Sequence, residues 1–338
     1  MISIRRSLKE DITTVMGFIA THWHSQHILG KNRSLMDWQH GCEDGYNYIL
    51  AWDESILVGV LGYIPTRRYD DELSAKNILW LALWKVRDDY HSSMVGLKLL
   101  KTLETLEPSS VMAVIGINSN HPPMYKALGF QVHELGQYYL ANPYTSQNLI
   151  QNPENLSLAT AIFGRANLKR VDYYDLENMR FSTLKASAFK TIEYFKKRFI
   201  LHPFYNYELY GIYLNRSLSA VIATRIAEHN GSRILRVVDF IGETSVLGEC
   251  GSAFQKLMAE RCLEYMDFWQ YGISSEVLVL AGFHKVDPTG ELICPNYFEP
   301  FIAKNAGINC CVKGSLDASF IMCRADGDQD RPNEVSCL

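Results

Sequence analysis

The chain contains 338 residues, of which 47% are apolar and 21% are charged. This length predicts two domains of roughly 150 residues, and the balance excludes a disordered, collagen-like or coiled-coil protein. Lys and Arg number 33 against 37 Asp and Glu, so no basic excess indicates nucleic-acid binding.

Apolar patterning in the first half predicts a mixed α/β domain. Residues 75–86 are almost continuously apolar and predict a central strand buried on both faces. A polar loop, 87–93, separates this strand from a helix with apolar side chains at helical spacing. The other predicted elements are, in chain order, a strand at 2–7, a helix from Ile12 to Ile19, a helix from Ser34, two strands within 46–65, a strand at 110–117, a helix at 121–130 and a strand at 131–140.

The same order of elements returns in the second half, with a hairpin at 207–226, a central strand at 232–242 and a helix that ends in Gly-Phe at 282–283. Three landmarks can be compared between the halves. The separations are 161 residues from Leu57 to Leu218, 156 from Ile78 to Ile234 and 153 from Gly129 to Gly282. This near-constant spacing predicts an internal duplication, in which one fold is used twice.

Segment 142–157 is rich in Asn, Pro, Ser and Gln and is the predicted linker. We therefore expect a first domain at 1–145, a second at 146–323 and a disordered tail at 324–338. Eight cysteines without a CxxC pair predict reduced thiols in a cytoplasmic protein, with Cys310 and Cys311 in the core. The apolar runs are shorter than the ~18 residues that span a bilayer, and the N-terminus lacks the pattern of a signal peptide.

Two motifs in the first half carry a family resemblance. The stretch His91-Ser92-Ser93-Met94-Val95-Gly96 aligns with the pattern Q/R-x-x-G-x-G/A, although only its last glycine matches. One strand further on, Tyr125-Lys126-Ala127-Leu128-Gly129-Phe130 matches Y-x-x-x-G-F. In this order the motifs resemble those of the GNAT (Gcn5-related N-acetyltransferase) superfamily. The resemblance implies an α/β (α+β) fold of two tandem GNAT domains, each a mixed, mainly antiparallel sheet flanked by helices.

The resemblance also implies which residues bind acyl-CoA. The pyrophosphate would lie against the loop and helix N-terminus at 91–96. The backbone of Trp84, Lys85 and Val86 would hold the pantetheine arm and polarise the thioester carbonyl. Asn118 or Asn120 would bind a pantetheine amide, and Tyr125 would protonate the leaving thiolate. Each role has a structural alternative. The loop could be a plain loop capped by Ser92 or Ser93, Asn118 or Asn120 could be a turn residue or helix cap, and Tyr125 could be a half-buried packing residue.

The second half lacks these features. Leu278 stands where the first half has Tyr125, and loop 243–252 contains no basic residue at the phosphate position. We therefore expect one coenzyme per chain, with the second domain forming the acceptor pocket and shielding the thioester from water.

Stretch 21–40 concentrates histidines and aromatic residues, which a metal site, ordinary surface side chains or an acceptor site would each explain. We expect no metal, because no second ligand cluster accompanies His24 and His27. As an acceptor site, Trp38 would stack on a ring while Gln39 and a histidine such as His27 bond its hydroxyls. Four residues are candidates for the base that deprotonates the amine: His24, His27, Asp239 and His284, of which His284 could also bind the acceptor. A water chain or a distant carboxylate is the alternative that the resemblance implies.

The aromatic stretch and the tandem layout resemble GNAT sugar N-acyltransferases of bacterial surface-polysaccharide (O-antigen) pathways. Some of these transfer 3-hydroxybutanoyl to dTDP-3-amino-3,6-dideoxygalactose. The resemblance implies an enzyme that moves an acetyl or 3-hydroxybutanoyl group from acyl-CoA to a nucleotide-linked amino sugar. It implies no metal, nucleic-acid or membrane partner, and a monomer or homodimer. The alternatives are a Fem-type aminoacyl-tRNA-dependent transferase and a non-catalytic acyl-CoA sensor.

Overall fold

A computed structural model describes residues 1–107, 109–158, 163–178, 189–295, 302–316 and 320–332. The chain forms two compact units. The first contains Met1–Val114, Val312–Ser315 and the described residues from Arg331. The second contains the described residues of Ile115–Cys311 and of Leu316–Asp330. The units therefore divide at 114/115 and not at the expected boundary of 145/146, because residues 115–140 pair and pack with the second unit.

The first unit is a sheet with helices from the same segment of chain. Its elements are β1 (Ile2–Leu8), α1 (Ile12–His22), α2 (Ile28–Lys31), α3 (Arg33–His40), β2 (Gly41–Cys42), β3 (Gly45–Asp53), β4 (Ile56–Pro65), β5 (Ile78–Val86), α4 (Val95–Leu106) and the first half of β6 (Val111–Ile117). The strand order is β1-β3-β4-β5-β6, with β2 on β3. Every pair is antiparallel except β5 with β6.

The second unit is built in the same way. Its elements are α5 (Pro122–Ala127), β7 (Gln131–Ala141), β8 (Asn167–Val171), α6 (Tyr173–Asn178), α7 (Ile192–Phe195), β9 (Glu208–Leu214), β10 (Ser217–His229), β11 (Ser232–Gly242), α8 (Gly251–Glu260), β12 (Tyr265–Tyr271), α9 (Ser275–Leu280), β13 (His284–Lys285), most of β14 (Ile308–Gly314) and β15 (Met322–Cys323). The order β7-β12-β11-β10-β9-β8 is antiparallel except for β11 with β12. The α/β fold with mainly antiparallel pairing is thus as predicted.

The two units share two local features that an internal duplication would produce. Both central strands carry a β-bulge: the last pair before it joins Leu81 to Tyr63 in β5 and Val237 to Thr224 in β11. Leu81 and Val237 are 156 residues apart. The short helices α5 and α9 both end at a glycine of positive φ, +86° and +88°. In each, the N–H of the following phenylalanine bonds to the carbonyl five residues earlier, at 3.0 and 2.9 Å.

The cores form where the apolar runs predicted them. In the first unit, Val95, Leu99 and Leu103 of α4 are fully buried. In the second, α8 buries Phe254, Leu257 and Met258 in one cluster with β11 and β12. At about 1.5–3 kcal/mol for each fully buried large apolar side chain, these faces fix the helices on their sheets.

The predicted disordered tail is wrong up to Pro332. Arg324, Asp326 and Asp330 are at most 3% exposed. Asp326 and Asp330 pair with Lys190 and Arg225, which are remote in sequence, and Arg324 pairs with Asp330. Residues 333–338 lie outside the described part of the chain. The predicted linker contacts the second unit closely: the carboxylate of Glu264 accepts the backbone N–H groups of Asn148 and Leu149, both at 2.9 Å.

Seven cysteines lie in the described residues and none forms a disulfide. Cys310 and Cys311 are fully buried, as predicted. Among the described helices, none combines the length and the apolar character needed to cross a bilayer.

Candidate functional site

In the first unit, the ladder on one edge of β5 covers only part of the strand among the described residues. The parallel ladder with β6 ends at Trp80 and Ala113, whereas β5 continues to Val86. Along this continuation, no strand of the described residues pairs with that edge. The bulge at Ala82 and Leu83 follows directly on the last parallel pair. An open strand edge offers backbone N–H and C=O groups to an extended ligand.

Beyond β5, the chain enters α4 through a short 3-10 helix, Asp88–Ser93, and Met94. Met94 has φ +56° and ψ +19°, a left-handed conformation, and its side chain is exposed. The first N–H groups of an α-helix have no partner within the helix, and a left-handed residue beside right-handed ones makes a concave set of N–H groups. This turn therefore has the geometry of an anion site. The side chains of His91, Ser92 and Ser93 lie outside the description.

Gly96 leaves the first turn of α4 open. A Cβ at this position would lie 3.5 Å from Nε1 of Trp84 and 3.7 Å from Cγ2 of Val86, which is ordinary van der Waals contact. Packing within the protein therefore does not require glycine here. The nearby cations are paired: Lys85 lies 2.8 Å from Asp88, and Arg87 lies 2.7 Å from a carboxylate oxygen of Asp89.

Tyr125 lies on α5 in the second unit and is 5% exposed. Its ring meets Phe130 edge to face, with centroids 5.3 Å apart. Burial, together with the Cys311 thiol, raises the pKa of Tyr125 well above its ordinary value, so the phenol keeps its proton at neutral pH. Asn118 and Asn120 are exposed, and the Asn118 side chain accepts the Asn120 N–H at 3.0 Å.

The histidine-rich stretch of the first unit is divided between interior and surface. His24 is exposed and Trp38 is half-buried, so both remain accessible to a ligand. His27 is buried and caps α2, where its Nδ1 accepts the Leu29 N–H at 3.2 Å. Gln39 is 2% exposed and its amide lies 3.1 Å from the His40 ring.

These environments keep the buried histidines neutral. Burial and the Arg331 guanidinium lower the pKa of His27 to about 2, and burial lowers the pKa of His40 to about 3. These contacts give His27 and Gln39 a structural role at α2 and α3. The predicted acceptor residues that the structure leaves exposed or partly exposed are therefore His24 and Trp38.

Asp239 and His284 lie in the second unit. The Asp239 carboxylate is fully buried and lies 2.5 Å from Nζ of Lys190, which also lies 2.9 Å from Asp326. Asp239, Asp326 and the Cys323 thiol could together ligate a metal ion, but the ammonium of Lys190 lies against both carboxylates. His284 is half-buried against Tyr139, and burial lowers its pKa.

The bulge at Ala82 and Leu83, the left-handed conformation of Met94 and the partners of Asp239 were not predicted from the sequence. A continuous apolar run does not indicate where a strand carries a bulge. Met94 had one, because it replaces a glycine of the family pattern at a position that favours glycine. Asp239 was recognised as a buried charge in need of a partner, but Lys190 and Asp326 are remote in sequence.

Similarity to solved structures is limited to the fold. A GCN5-related N-acetyltransferase from Anabaena variabilis ATCC 29413 matches with a TM-score of 0.56 and 10% identity, over 92% of this chain and 72% of that one. A conserved protein of unknown function from Enterococcus faecalis V583, described as a probable N-acyltransferase, matches with a TM-score of 0.55 and 7% identity, with the same coverage. No protein-family model matches the sequence, and no curated protein is significantly similar to it.

Proposed function

We propose that the protein is an N-acyltransferase that takes an acyl group, acetyl or 3-hydroxybutanoyl, from acyl-CoA and transfers it to a nucleotide-linked amino sugar. One observation carries this proposal. Within the first unit, a bulged strand edge that pairs with no other strand among the described residues leads into a turn with the geometry of an anion site and a helix N-terminus with an uncrowded glycine. The GNAT-like fold of the solved neighbours supports the acyl-transfer part of the proposal.

Each part of this arrangement suits one part of acyl-CoA. The edge of β5 from Ala82 to Val86 would pair with the amides of the pantetheine arm. The N–H groups around Met94 and Gly96 would bind the pyrophosphate, since a helix N-terminus stabilises negative charge. His91, Ser92, Ser93 and Val95 belong to the same turn by sequence.

In the proposed reaction, the amine nitrogen of the acceptor bonds to the thioester carbonyl carbon and the carbon–sulfur bond breaks. The departing sulfur takes one proton, for which Tyr125 is the proposed donor, and the amine loses one to a base or to water. The raised pKa of Tyr125 means that the phenol is protonated before each turnover. Asp239 is held by Lys190, so exposed His24 is the proposed base.

The second unit contains a cavity of about 650 Å³ that suits the nucleotide part of the acceptor. The guanidinium of Arg225 lies 4.1 Å from the ring centroid of Tyr205, which the His202 ring also faces in a stacked arrangement, 5.5 Å between centroids. Arg170 and Arg233 are also in the lining, where they lie 3.6 Å from Glu208 and 2.7 Å from Glu228. Aromatic rings stack on bases, so the His202 and Tyr205 rings are the proposed contacts of the base.

A thiol-release assay tests the proposal. Purified protein would be incubated with several acyl-CoAs and with dTDP- and UDP-linked amino sugars. We expect release of free CoA only when an amino sugar is present. The matched control is the same nucleotide sugar with a hydroxyl in place of the amine, which should give no release. Binding of acyl-CoA without turnover for any amine would instead support the sensor alternative, and no binding of acyl-CoA would rule out both.

A further inference from the structure

In the first repeat, the proposed acyl-thioester slot is the edge of β5 beyond its parallel ladder with β6. The second repeat has the same arrangement in β11 and β12, and there a later segment of the chain fills the slot. The parallel ladder of β11 and β12 ends at Val237 and Phe268, and both strands continue. At Gln270 of β12, one edge pairs with Gly136 of β7 and the other edge pairs with Cys323 of β15. Residues 322–323 therefore lie on the β11 side of β12, where the two strands no longer pair.

The segment also bonds to β11 at its bulge. The backbone N–H of Ala325 donates to the carbonyl of Val238 at 2.8 Å. With the 156-residue separation of the bulges, Val238 corresponds to Ala82 of β5. The segment thus makes, on the second central strand, the kind of backbone contact that an extended ligand could make on the first.

Three buried charges lock the front of the segment in place. The Asp326 carboxylate lies 2.9 Å from Nζ of Lys190 and also accepts the Cys323 N–H at 2.8 Å. Lys190 in turn contacts Asp239 at the bulge of β11. All three charged side chains are at most 2% exposed, so each ion needs its partners to offset the loss of water.

A second set of contacts holds the end of the segment. The fully buried Asp330 carboxylate lies 3.0 Å from Arg225 and 2.8 Å from Arg324, and it accepts the Tyr207 hydroxyl at 2.6 Å. Burial opposes the charge on Asp330, yet the two guanidinium groups hold its pKa well below the ordinary value. The segment is therefore anchored at both ends at neutral pH.

We propose that residues 320–330 are a built-in occupant of the second repeat's acyl-thioester slot, which leaves the first repeat as the place where acyl-CoA binds. The inference rests on the proposed function for the nature of the slot. The sequence argument against a second coenzyme site was that the second repeat lacks a tyrosine equivalent to Tyr125 and a basic loop residue. The occupant is a separate, physical reason. A strand edge already paired along its own chain cannot pair with a pantetheine arm.

Hydrogen exchange of backbone amides in the full chain, measured by mass spectrometry with and without acyl-CoA, tests whether residues 320–330 occupy the slot. We expect the amides of 322–326 to be protected in the free protein. Acyl-CoA should slow exchange within 81–97 and leave 238–242 and 322–326 unchanged. Rapid exchange of 322–326 in the free protein, or slower exchange of 238–242 with acyl-CoA, would overturn the proposal. If acyl-CoA protects no segment, the proposed function fails, while the protection of 322–326 in free protein still tests the occupant.

Native cysteines give a second readout. Asp326→Asn removes the charge that pairs with Lys190, and we expect alkylation of Cys323 to become at least tenfold faster. Cys250, buried elsewhere in the same unit, is the internal control and should keep its rate within about twofold. Equal rates for Cys323 in wild type and variant would contradict the locking contact. If the variant unfolds, both thiols react, and the exchange measurement on wild type decides.

Discussion

The two repeats share a strand order, a bulge and a helix end, yet they treat the same slot in opposite ways. In the first, the edge of β5 after Trp80 has no partner strand among the described residues. In the second, Cys323 pairs with β12 and the N–H of Ala325 donates to Val238 of β11. The two units therefore share a backbone geometry, and the proposed occupant distinguishes them.

The chemistry of the two copies diverges at the same places. Tyr125 is matched by Leu278, which is fully buried in an apolar cluster. Leu83 at the first bulge is matched by Asp239, whose charge requires Lys190. The first copy has a phenol that can donate a proton. In the second, the buried charges hold the segment 320–330 in place. Five experiments can break or sharpen this contrast.

The largest effect is expected for Tyr125→Phe. Loss of the phenol proton should lower kcat by roughly 10²–10⁴-fold, the usual contribution of general acid catalysis, with little change in the Kd for acyl-CoA. Steady-state kinetics and calorimetry would measure the two quantities. Tyr144→Phe, on an 84% exposed tyrosine, is the control and should leave both unchanged. An unaltered kcat in Tyr125→Phe would remove this residue from the reaction.

Lys190→Ala should be the most destabilising of these changes in the second repeat. Without the ammonium, Asp239 and Asp326 are buried without a counter-charge, which costs about 3–5 kcal/mol of unfolding free energy. Lys256→Ala removes a lysine that is 76% exposed and 3.8 Å from Glu260, and it should cost less than about 0.5 kcal/mol. Denaturant unfolding would compare them, and similar losses would contradict the account of the buried charges.

Stability should fall as the pH falls below about 6.5, the ordinary pKa of histidine. Burial lowers the pKa of His27 to about 2, and of His40 and His202 to about 3. Because the unfolded chain takes up these protons first, each histidine removes about 2 kcal/mol between pH 7 and pH 5. His40→Gln should reduce that loss by about 2 kcal/mol. Exposed His24→Gln should not change it, and an equal effect of both would contradict the burial argument.

Gly96→Ala should separate binding from folding. The added methyl has room within the fold but occupies the surface at the helix N-terminus, so we expect acyl-CoA affinity to fall about tenfold, or about 1.4 kcal/mol. The Tm should change little. Gly17→Ala, in α1 with nothing within 4 Å of the new atom, should raise stability by about 0.5–1 kcal/mol without altering affinity. Unchanged affinity in Gly96→Ala would place the coenzyme elsewhere.

The smallest effect is expected for Met94→Gly. A left-handed non-glycine residue costs about 1–2 kcal/mol, which the substitution by glycine removes. The greater conformational freedom of glycine in the unfolded chain offsets part of this gain. The net gain should be about 0.5–1 kcal/mol. Met124→Gly, in helix α5, should instead destabilise by about 1 kcal/mol. Denaturant midpoints would show the two signs, and a loss in Met94→Gly would contradict the strained turn.

Local sequence patterns predicted most of the elements. The apolar run at 75–86 became β5, and Gly129 and Gly282 ended their helices with positive φ. The tail was mispredicted because Asp326 and Asp330 read as solvated charges in a polar stretch. Their partners, Lys190 and Arg225, are more than 100 residues away, so no local pattern could pair them.

The candidate site residues were named from the sequence, but most of their surroundings could not be. The loop ending at Gly96 was found by its resemblance, whereas the bulge at Ala82 depends on the register of β4 against β5. His27 and Gln39 were grouped with Trp38 by proximity in sequence, but α2 and α3 turn the first two inward. Burial depends on which helix face meets the sheet, and a short helix with mixed residues does not specify it.

Calorimetric titration of the full chain with acyl-CoA tests the division between the repeats most directly. Our account predicts one binding site per chain, with an affinity that Gly96→Ala weakens. Two equivalent sites per chain, or a single site that Gly96→Ala leaves unchanged, would contradict it.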